Sequence, residues 1–270
     1  MTMYFASSFS LHELASVFNQ AFSDYLIEVY FTEHSLREYI RRHGLDLDAS
    51  LVVGADGYLV GLLLSGSDRS TTWNAGMGVH PSWRRRGLGS DLLDEWLTNS
   101  RAAGLDRALL EVVKQNLVAT NLYRSRGFRE VRDYQGFEGR TGWSRVPPIN
   151  PDHVQRVDVD QLLTVYRKGH SWQKRPDVLR RLVDFVVLRT TGDDLPLGEG
   201  YLIYENVEGL MYIFDLTPNE AGRALLEQSA MQESPRLLRL VNAIDLVEED
   251  FYRELGFRPW IRNVEMVAQL

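Results

Sequence analysis

The stretch Val79–Leu93, VHPSWRRRGLGSDLL, crowds three arginines against two glycines where an extended segment gives way to a helical one. A helix N-terminus offers unpaired N–H groups and a positive dipole end, and glycine lets backbone approach an oxygen closely. This collar therefore reads as an anion site of the phosphate type; a plain capping turn is the other reading of these residues alone. Further on, the two-residue period of RALLEVV puts Glu111 on one face with Leu109 and Val113. A carboxylate on an apolar face has a raised pKa, which suits a general base, whereas a carboxylate paired to a neighbour is the structural alternative. The six histidines show no metal-ligand spacing and cysteine is absent, so the chain implies no catalytic metal and no thiol chemistry.

The elements that must position these groups alternate along the first half. A short extended start precedes a helix-period segment with Leu11, Leu14, Val17, Phe18 and Phe22 apolar, and a second helix spans Ser35–His43. Three strands follow, SLVVGA, YLVGLLLSG and TWNAGMGV, spaced closely enough for an antiparallel meander. After the collar, Leu92, Leu93, Trp96 and Leu97 recur at helical spacing until Gly104. A strand, a helix ending at Gly127 and another strand complete the half.

At 270 residues and 44% hydrophobic, the chain can bury two cores of ordinary domain size. A net charge of -7 disfavours a nucleic-acid surface, because such affinity comes from clustered Lys and Arg. No apolar run approaches the roughly 20 residues needed to cross a bilayer, so a cytoplasmic protein without membrane contact is expected.

The second half repeats the first. Arg236–Arg258 lies over Arg107–Arg129 without a gap, matching Tyr-Arg and Gly-Phe-Arg in register. The proline-rich stretch around Val146–Asp152 marks the expected boundary, giving domains 1–145 and 153–270. At the position of the collar, the second half has only FDLTPNEAGRALLEQ, with Gly222 inside the presumed helix, and Asp245 stands where the first half has Asn116. A carboxylate is a poor neighbour for a polyanion, so the second half reads as a degenerate copy whose Tyr252 packs the fold.

Arg84-x-x-Gly87-x-Gly89 after GMGVHP, followed by LEVVKQNLVATNLYRSRGF, resembles the GNAT superfamily of N-acetyltransferases. The resemblance covers residues 1 to about 140 and, through the repeat, extends over the second half. It implies an α/β (α+β) fold of two tandem domains, each a mixed, mostly antiparallel sheet flanked by helices, with acetyl-CoA in a wedge between splayed strands. It puts the pyrophosphate over the backbone of Arg84, Arg85, Arg86, Gly87, Leu88, Gly89 and Ser90. The backbone of Met77, Gly78 and Val79 would meet the pantetheine and thioester, and an N–H near Met77 would hold the thioester oxygen. Asn116 matches the family's cofactor-holding asparagine. Tyr123 matches the tyrosine that often protonates the departing thiolate, the favoured reading; packing, with its hydroxyl satisfying a helix, is the other.

In this family the segment between the first two helices shapes the acceptor site, which here nominates Asp24, Tyr25, Glu28 and Tyr30, with Glu33 and Phe31 beside them. The expected function is transfer of an acetyl group from acetyl-CoA to a primary amine, borne by a small molecule or a peptide, by direct attack in a monomer or homodimer. The alternative is a non-catalytic CoA-binding or protein-interaction module that kept the fold.

Overall fold

In the computed structural model, strand β1 (Thr2–Phe5) leads into helices α1 (Leu11–Ala21) and α2 (Glu33–His43). Both helices begin with a capping box, Ser10 with Glu13 and Thr32 with Ser35, which satisfies N–H groups that a helix start leaves unpaired. Strands β2 (Leu51–Ala55), β3 (Tyr58–Asp68) and β4 (Thr71–Val79) pair antiparallel in sequence order, with β1 on β2, which is the meander their short spacing predicts. Helix α3 (Leu88–Ala102) then crosses to β5 (Arg107–Val113), which lies parallel to β4. Helix α4 (Leu117–Ser125) and β6 (Arg129–Gly139) follow. Leu92, Leu93, Trp96 and Leu97 of α3 are buried against Leu63, Leu110 and Val112, so the core lies under the strands that carry the collar.

The second half contains β7 (Val154–Arg156), α5 (Val159–Leu162), α6 (Pro176–Leu179), β8 (Val186–Thr190), β9 (Tyr201–Val207), β10 (Leu210–Leu216), α7 (Glu220–Glu233), β11 (Leu237–Ala243), α8 (Glu249–Glu254) and β12 (Arg258–Gln269). Its strands run in the order β6-β11-β10-β9-β8-β7, antiparallel except for the β10–β11 pair. The antiparallel β9–β10 and parallel β10–β11 pairs reproduce β3–β4 and β4–β5. The structure describes residues 1–140, 149–162, 171–182, 185–190, 197–207, 209–243 and 249–270; residues 146–148 of the expected linker and Asp245 lie outside them.

The chain divides into two units, Met1–Arg132 with Val264–Leu270, and Asp133–Asn263. The division therefore falls within β6 and β12 and not in the proline-rich stretch expected from the sequence. Val264, Met266 and Ala268 are buried in the core of the first unit, and the Leu270 N–H donates to Asp106 O at 2.9 Å. No local signal marks such an exchange, because each strand runs through the division without a break.

Helix α1 lies against the C-terminal half of β4 at glycine distance. A Cβ on Gly78 would stand 2.7 Å from Phe22 Cε2 and 3.0 Å from Ala21 Cβ. Gly78→Ala is therefore expected to lower the unfolding free energy by about 1–3 kcal/mol, the usual cost of overpacking, as read from urea midpoints at an unchanged slope.

Candidate active site

The site begins where two strands part. The parallel β4–β5 ladder runs from Thr71↔Arg107 to Asn74↔Leu110 and stops, while β4 continues to Val79 on its other side against β3. At the parting point the β3–β4 register shifts and leaves Ala75 as an extra residue. Such bulges bend a strand and re-aim its groups. Two side chains hold this one: Asn74 Oδ1 accepts the Gly76 N–H at 3.0 Å, and the Tyr39 hydroxyl donates to Ala75 O at 3.1 Å.

Beyond the bulge, antiparallel residues alternate between bonding their partner and facing away from it. His80 N–H donates to Val60 O, so Gly78 also faces β3, whereas Met77 and Val79 turn their N–H and C=O groups toward the open wedge. Val79 O accepts from Arg84 Nε at 2.9 Å, in keeping with that direction.

The collar itself is a built turn. His80 Nδ1 accepts the Ser82 N–H, starting a 3-10 turn over Pro81–Trp83, and the chain then passes through positive φ at Arg85 (64°) and Gly87 (89°) into α3. Arg84 N–H donates to Pro81 O, and Ser90 N–H donates to Gly87 O. Among the described residues, the N–H groups of Arg85, Arg86, Gly87, Leu88 and Gly89 find no acceptor, and they sit at the positive end of a four-turn helix. A Cβ added to Gly89 would meet only Leu122 Cδ2, at 3.6 Å, so the backbone there is open to a close ligand. These residues fit a diphosphate.

The three arginines divide their roles. Arg84 turns away from the cradle to Ala21 O and, bidentate, to Asp24 at 2.7 and 2.8 Å, and its hydrogen bonds hold the exposed Asp24 carboxyl below the usual carboxylate range. Arg86 lies over the Trp83 ring at 4.7 Å. Arg85 is exposed at the rim.

A cavity of about 210 Å³ opens in the wedge. Its floor is formed by Asn74, Met77, Glu111, Asn116 and Tyr123, and its wall by aromatic residues from α1, α2 and the segment between them. Tyr123 is 6% exposed, and burial pushes its pKa well above that of a free phenol; the Tyr25 hydroxyl adds to the rise and the Asn74 amide opposes it. Burial also raises Tyr25, with the Asn116 side chain opposing, and raises Tyr39, where the negative Glu111 adds to the effect and Arg42 opposes it. All three phenols therefore stay protonated throughout the neutral range.

Of the residues read from the sequence, Tyr123, Glu111, Met77, Asn116 and Tyr25 come together at this cavity. Gly78 and Val79 lie just beyond it on β4. Asn116 also caps α4, its Oδ1 accepting the Ala119 N–H at 3.2 Å. Arg84 and Ser90 depart from expectation, because their amides are already bonded. In the 28–31 segment, Glu28 and Tyr30 are exposed and do not line the cavity, whereas Val29 and Phe31 do. Asp24 is bound by Arg84 at the surface.

Asn74 was not anticipated. It is 5% exposed, its Oδ1 is held by Gly76, and its Nδ2 is buried without a hydrogen bond. An asparagine inside the apolar strand TTWNAGMGV was the available signal.

The second unit has the bulge without the cradle. Its β9–β10 register shifts between Ile213 and Asp215, and the parallel ladder ends at Ile213↔Leu240. Asp215 at the shift is buried, accepting from the Tyr201 hydroxyl at 2.8 Å and facing Lys174 Nζ at 3.4 Å. Helix α7 follows directly on its cap Asn219, and a Cβ on Gly222 would lie 1.9 Å from Thr217 O, so the chain's own backbone fills the space that is open at Gly89. Tyr252 is 1% exposed and packs on Phe137 at 4.9 Å between ring centroids.

A strand parting from its parallel neighbour, with a glycine turn at the next helix, is the arrangement that the resemblance to the GNAT superfamily implied. Residues 11–128 match the acetyltransferase (GNAT) family. A putative acetyltransferase from Pyrococcus horikoshii superposes with a TM-score of 0.67 at 15% identity, covering 100% of this chain and 89% of that one. A tandem GNAT protein from the clavulanic acid biosynthesis pathway gives 0.70 at 16% identity over 96% and 94% of the two chains. A GCN5-related N-acetyltransferase from Sphaerobacter thermophilus gives 0.67 at 16%, over 96% and 92%. At these identities the likeness establishes a tandem fold. No curated protein is similar enough in sequence to count as a relative. No helix among the described residues is long and apolar enough to cross a membrane.

Proposed function

We propose that the first unit is an acetyl-CoA-dependent N-acetyltransferase acting on a primary amine by direct attack, and that the second unit is a degenerate copy without a cofactor site. The observation that carries this reading is the placement of five unpaired N–H groups, Arg85 to Gly89, beside a wedge whose floor holds Tyr123 and Glu111. Acetyl-CoA supplies the thioester carbon, to which the amine nitrogen bonds as the carbon–sulfur bond breaks.

The chain's own residues supply the rest. The cradle holds the diphosphate by backbone donors and the helix dipole, with Arg85 adding charge at the rim. The Met77 N–H points into the wedge as a preorganised donor for charge developing on the carbonyl oxygen, a contribution on the order of 3 kcal/mol for one such donor. Glu111, which lines the cavity, takes the amine proton in this reading, directly or through water. Tyr123, protonated throughout the neutral range, gives its proton to the thiolate in this reading.

The test uses the cradle. Gly89→Ala is expected to fold, because its Cβ meets only a flexible leucine at 3.6 Å, and to bind CoA more weakly than the parent, because that Cβ stands in the space open to the diphosphate. Gly89→Glu puts a carboxylate against the diphosphate and is expected to weaken CoA binding more than tenfold by calorimetry, with thiol release on an amine panel falling in parallel. Parental CoA affinity in Gly89→Glu would overturn the proposed site.

A further inference from the structure

The wall of the cavity points to the class of acceptor, an inference that rests on the transferase reading above. Phe18, Phe22, Tyr25, Phe31 and Tyr39 surround the space with Val29, and their rings brace one another. Phe18 stacks on Phe22 at 4.3 Å and meets Phe31 edge-on at 4.8 Å; Phe22 meets Tyr25 at 5.1 Å, and Phe31 meets Tyr39 at 5.0 Å. Mutual contact of this kind keeps the rings from collapsing into the space they enclose.

The segment bearing Phe31 is held independently of its ring. Asn19 grips the Phe31 backbone at both ends, Oδ1 accepting its N–H and Nδ2 donating to its C=O, each at 2.8 Å. The apolar wall is thus held by the protein's own contacts.

Charge sorts the possible occupants. Glu111 is the one charged residue that lines the cavity, and no Lys, Arg or His among the described residues does so. An ammonium entering the space meets a carboxylate and the electron-rich faces of rings. A carboxylate or phosphate next to the amine would lose its hydration with no cation among the lining residues to replace it. A polyamine would bring further charges that the single lining carboxylate cannot match, and a sugar would set hydroxyls against the ring faces of Phe18, Phe22 and Phe31.

Size sorts them further. A cavity of roughly 150 Å³ accommodates benzene; of the 210 Å³ here the acetyl group at Met77 takes a share, so the remainder admits no more than one ring or branched alkyl group. We infer that the acceptor is a primary amine on a short apolar carrier, an arylalkyl- or branched alkylamine with no acidic group beside the nitrogen.

The experiment takes the full chain with acetyl-CoA and compares kcat/KM for 2-phenylethylamine and isopentylamine with that for phenylalanine, glucosamine, spermidine and a hexapeptide. Either apolar amine is expected to exceed each of the others at least tenfold, and phenylalanine, which adds only a carboxylate to the same ring, is expected to be the sharpest contrast. Phe31→Ala should lower kcat/KM for 2-phenylethylamine about tenfold, with Phe31→Leu intermediate, while CoA affinity stays within twofold. Equilibrium binding of 2-phenylethylamine, measured by calorimetry, separates the two claims. Binding that Phe31→Ala weakens, without turnover of any amine, would leave the pocket assignment standing and remove the transferase reading. Failure to bind, or turnover of glucosamine, spermidine, the peptide or phenylalanine at a rate equal to the apolar amines, would overturn the acceptor class while leaving transferase activity intact.

Discussion

Tyr123→Phe is expected to lower kcat by about 10²–10⁴-fold, the range for loss of a positioned general acid, while the affinity for CoA stays within a few-fold. The ring is buried among Leu122, Phe128 and the core of α3, so removing one oxygen leaves the packing in place. What is lost is a proton donor on the cavity floor. Because burial raises its pKa, Tyr123 keeps its proton well above neutrality, and the parent enzyme should show no alkaline fall in kcat from this group below about pH 10. The raised value also leaves a mark on stability. Above about pH 10 the unfolded chain releases the phenol proton before the folded chain does, so the unfolding free energy falls as pH rises. Tyr123→Phe should reduce that alkaline slope without abolishing it, since the raised Tyr25 and Tyr39 contribute in the same direction. A variant that keeps parental kcat but loses part of the slope would assign Tyr123 to packing alone.

Features set by near neighbours in the chain were legible, and features set by distant pairing were not. The collar could be read because a glycine turn between a strand and a helix has few other uses, and its amides are free for reasons contained within some ten residues. The alternation that placed Glu111 on a face with Leu109 and Val113 is equally local. Phe31, named with Glu28 and Tyr30, lines the cavity and they do not, while Val29 was passed over, because charge and hydroxyl groups were weighed and direction was not. Only the packing of the 28–31 segment beside α1, through the Asn19 clamp, decides which alternate residues face inward.

Asn74 shows the limit more clearly. Its neighbours in sequence make it one polar residue in an apolar strand. Its interest lies in where the β4–β5 ladder stops and in the bulge that turns Gly76 N–H onto its oxygen, both of which depend on residues far along the chain. Arg84 is a related case. Three adjacent arginines suggest pooled charge, yet one is committed to Asp24 and the Ala21 carbonyl, sixty or more positions earlier, and it braces α1 against the collar.

Deleting Val264–Leu270 should unfold the first unit, although these residues lie far in sequence from its site. They place Val264, Met266 and Ala268 in its core at 3%, 0% and 4% exposure, beside Leu93, Trp96, Val112 and Phe128. Burial of a valine and a methionine is worth roughly 1.5–3 kcal/mol each. Their removal also strips a strand neighbour from β5, which carries Glu111, and leaves its N–H and C=O groups unpaired. Against a typical domain stability of 5–15 kcal/mol, the combined loss is of the same order as the whole. The truncated chain is expected to lose CoA binding in calorimetry and to show a first urea transition near zero denaturant. Met266→Ala, at about 2–5 kcal/mol, should give a folded but weakened unit that still binds CoA. A fragment ending near residue 145 would fail for the same reason, so its inactivity would say nothing about a catalytic role for the second unit. If the truncated chain instead kept its parental CoA affinity and its first transition, the last strand would be an ornament on the first unit and not part of its core.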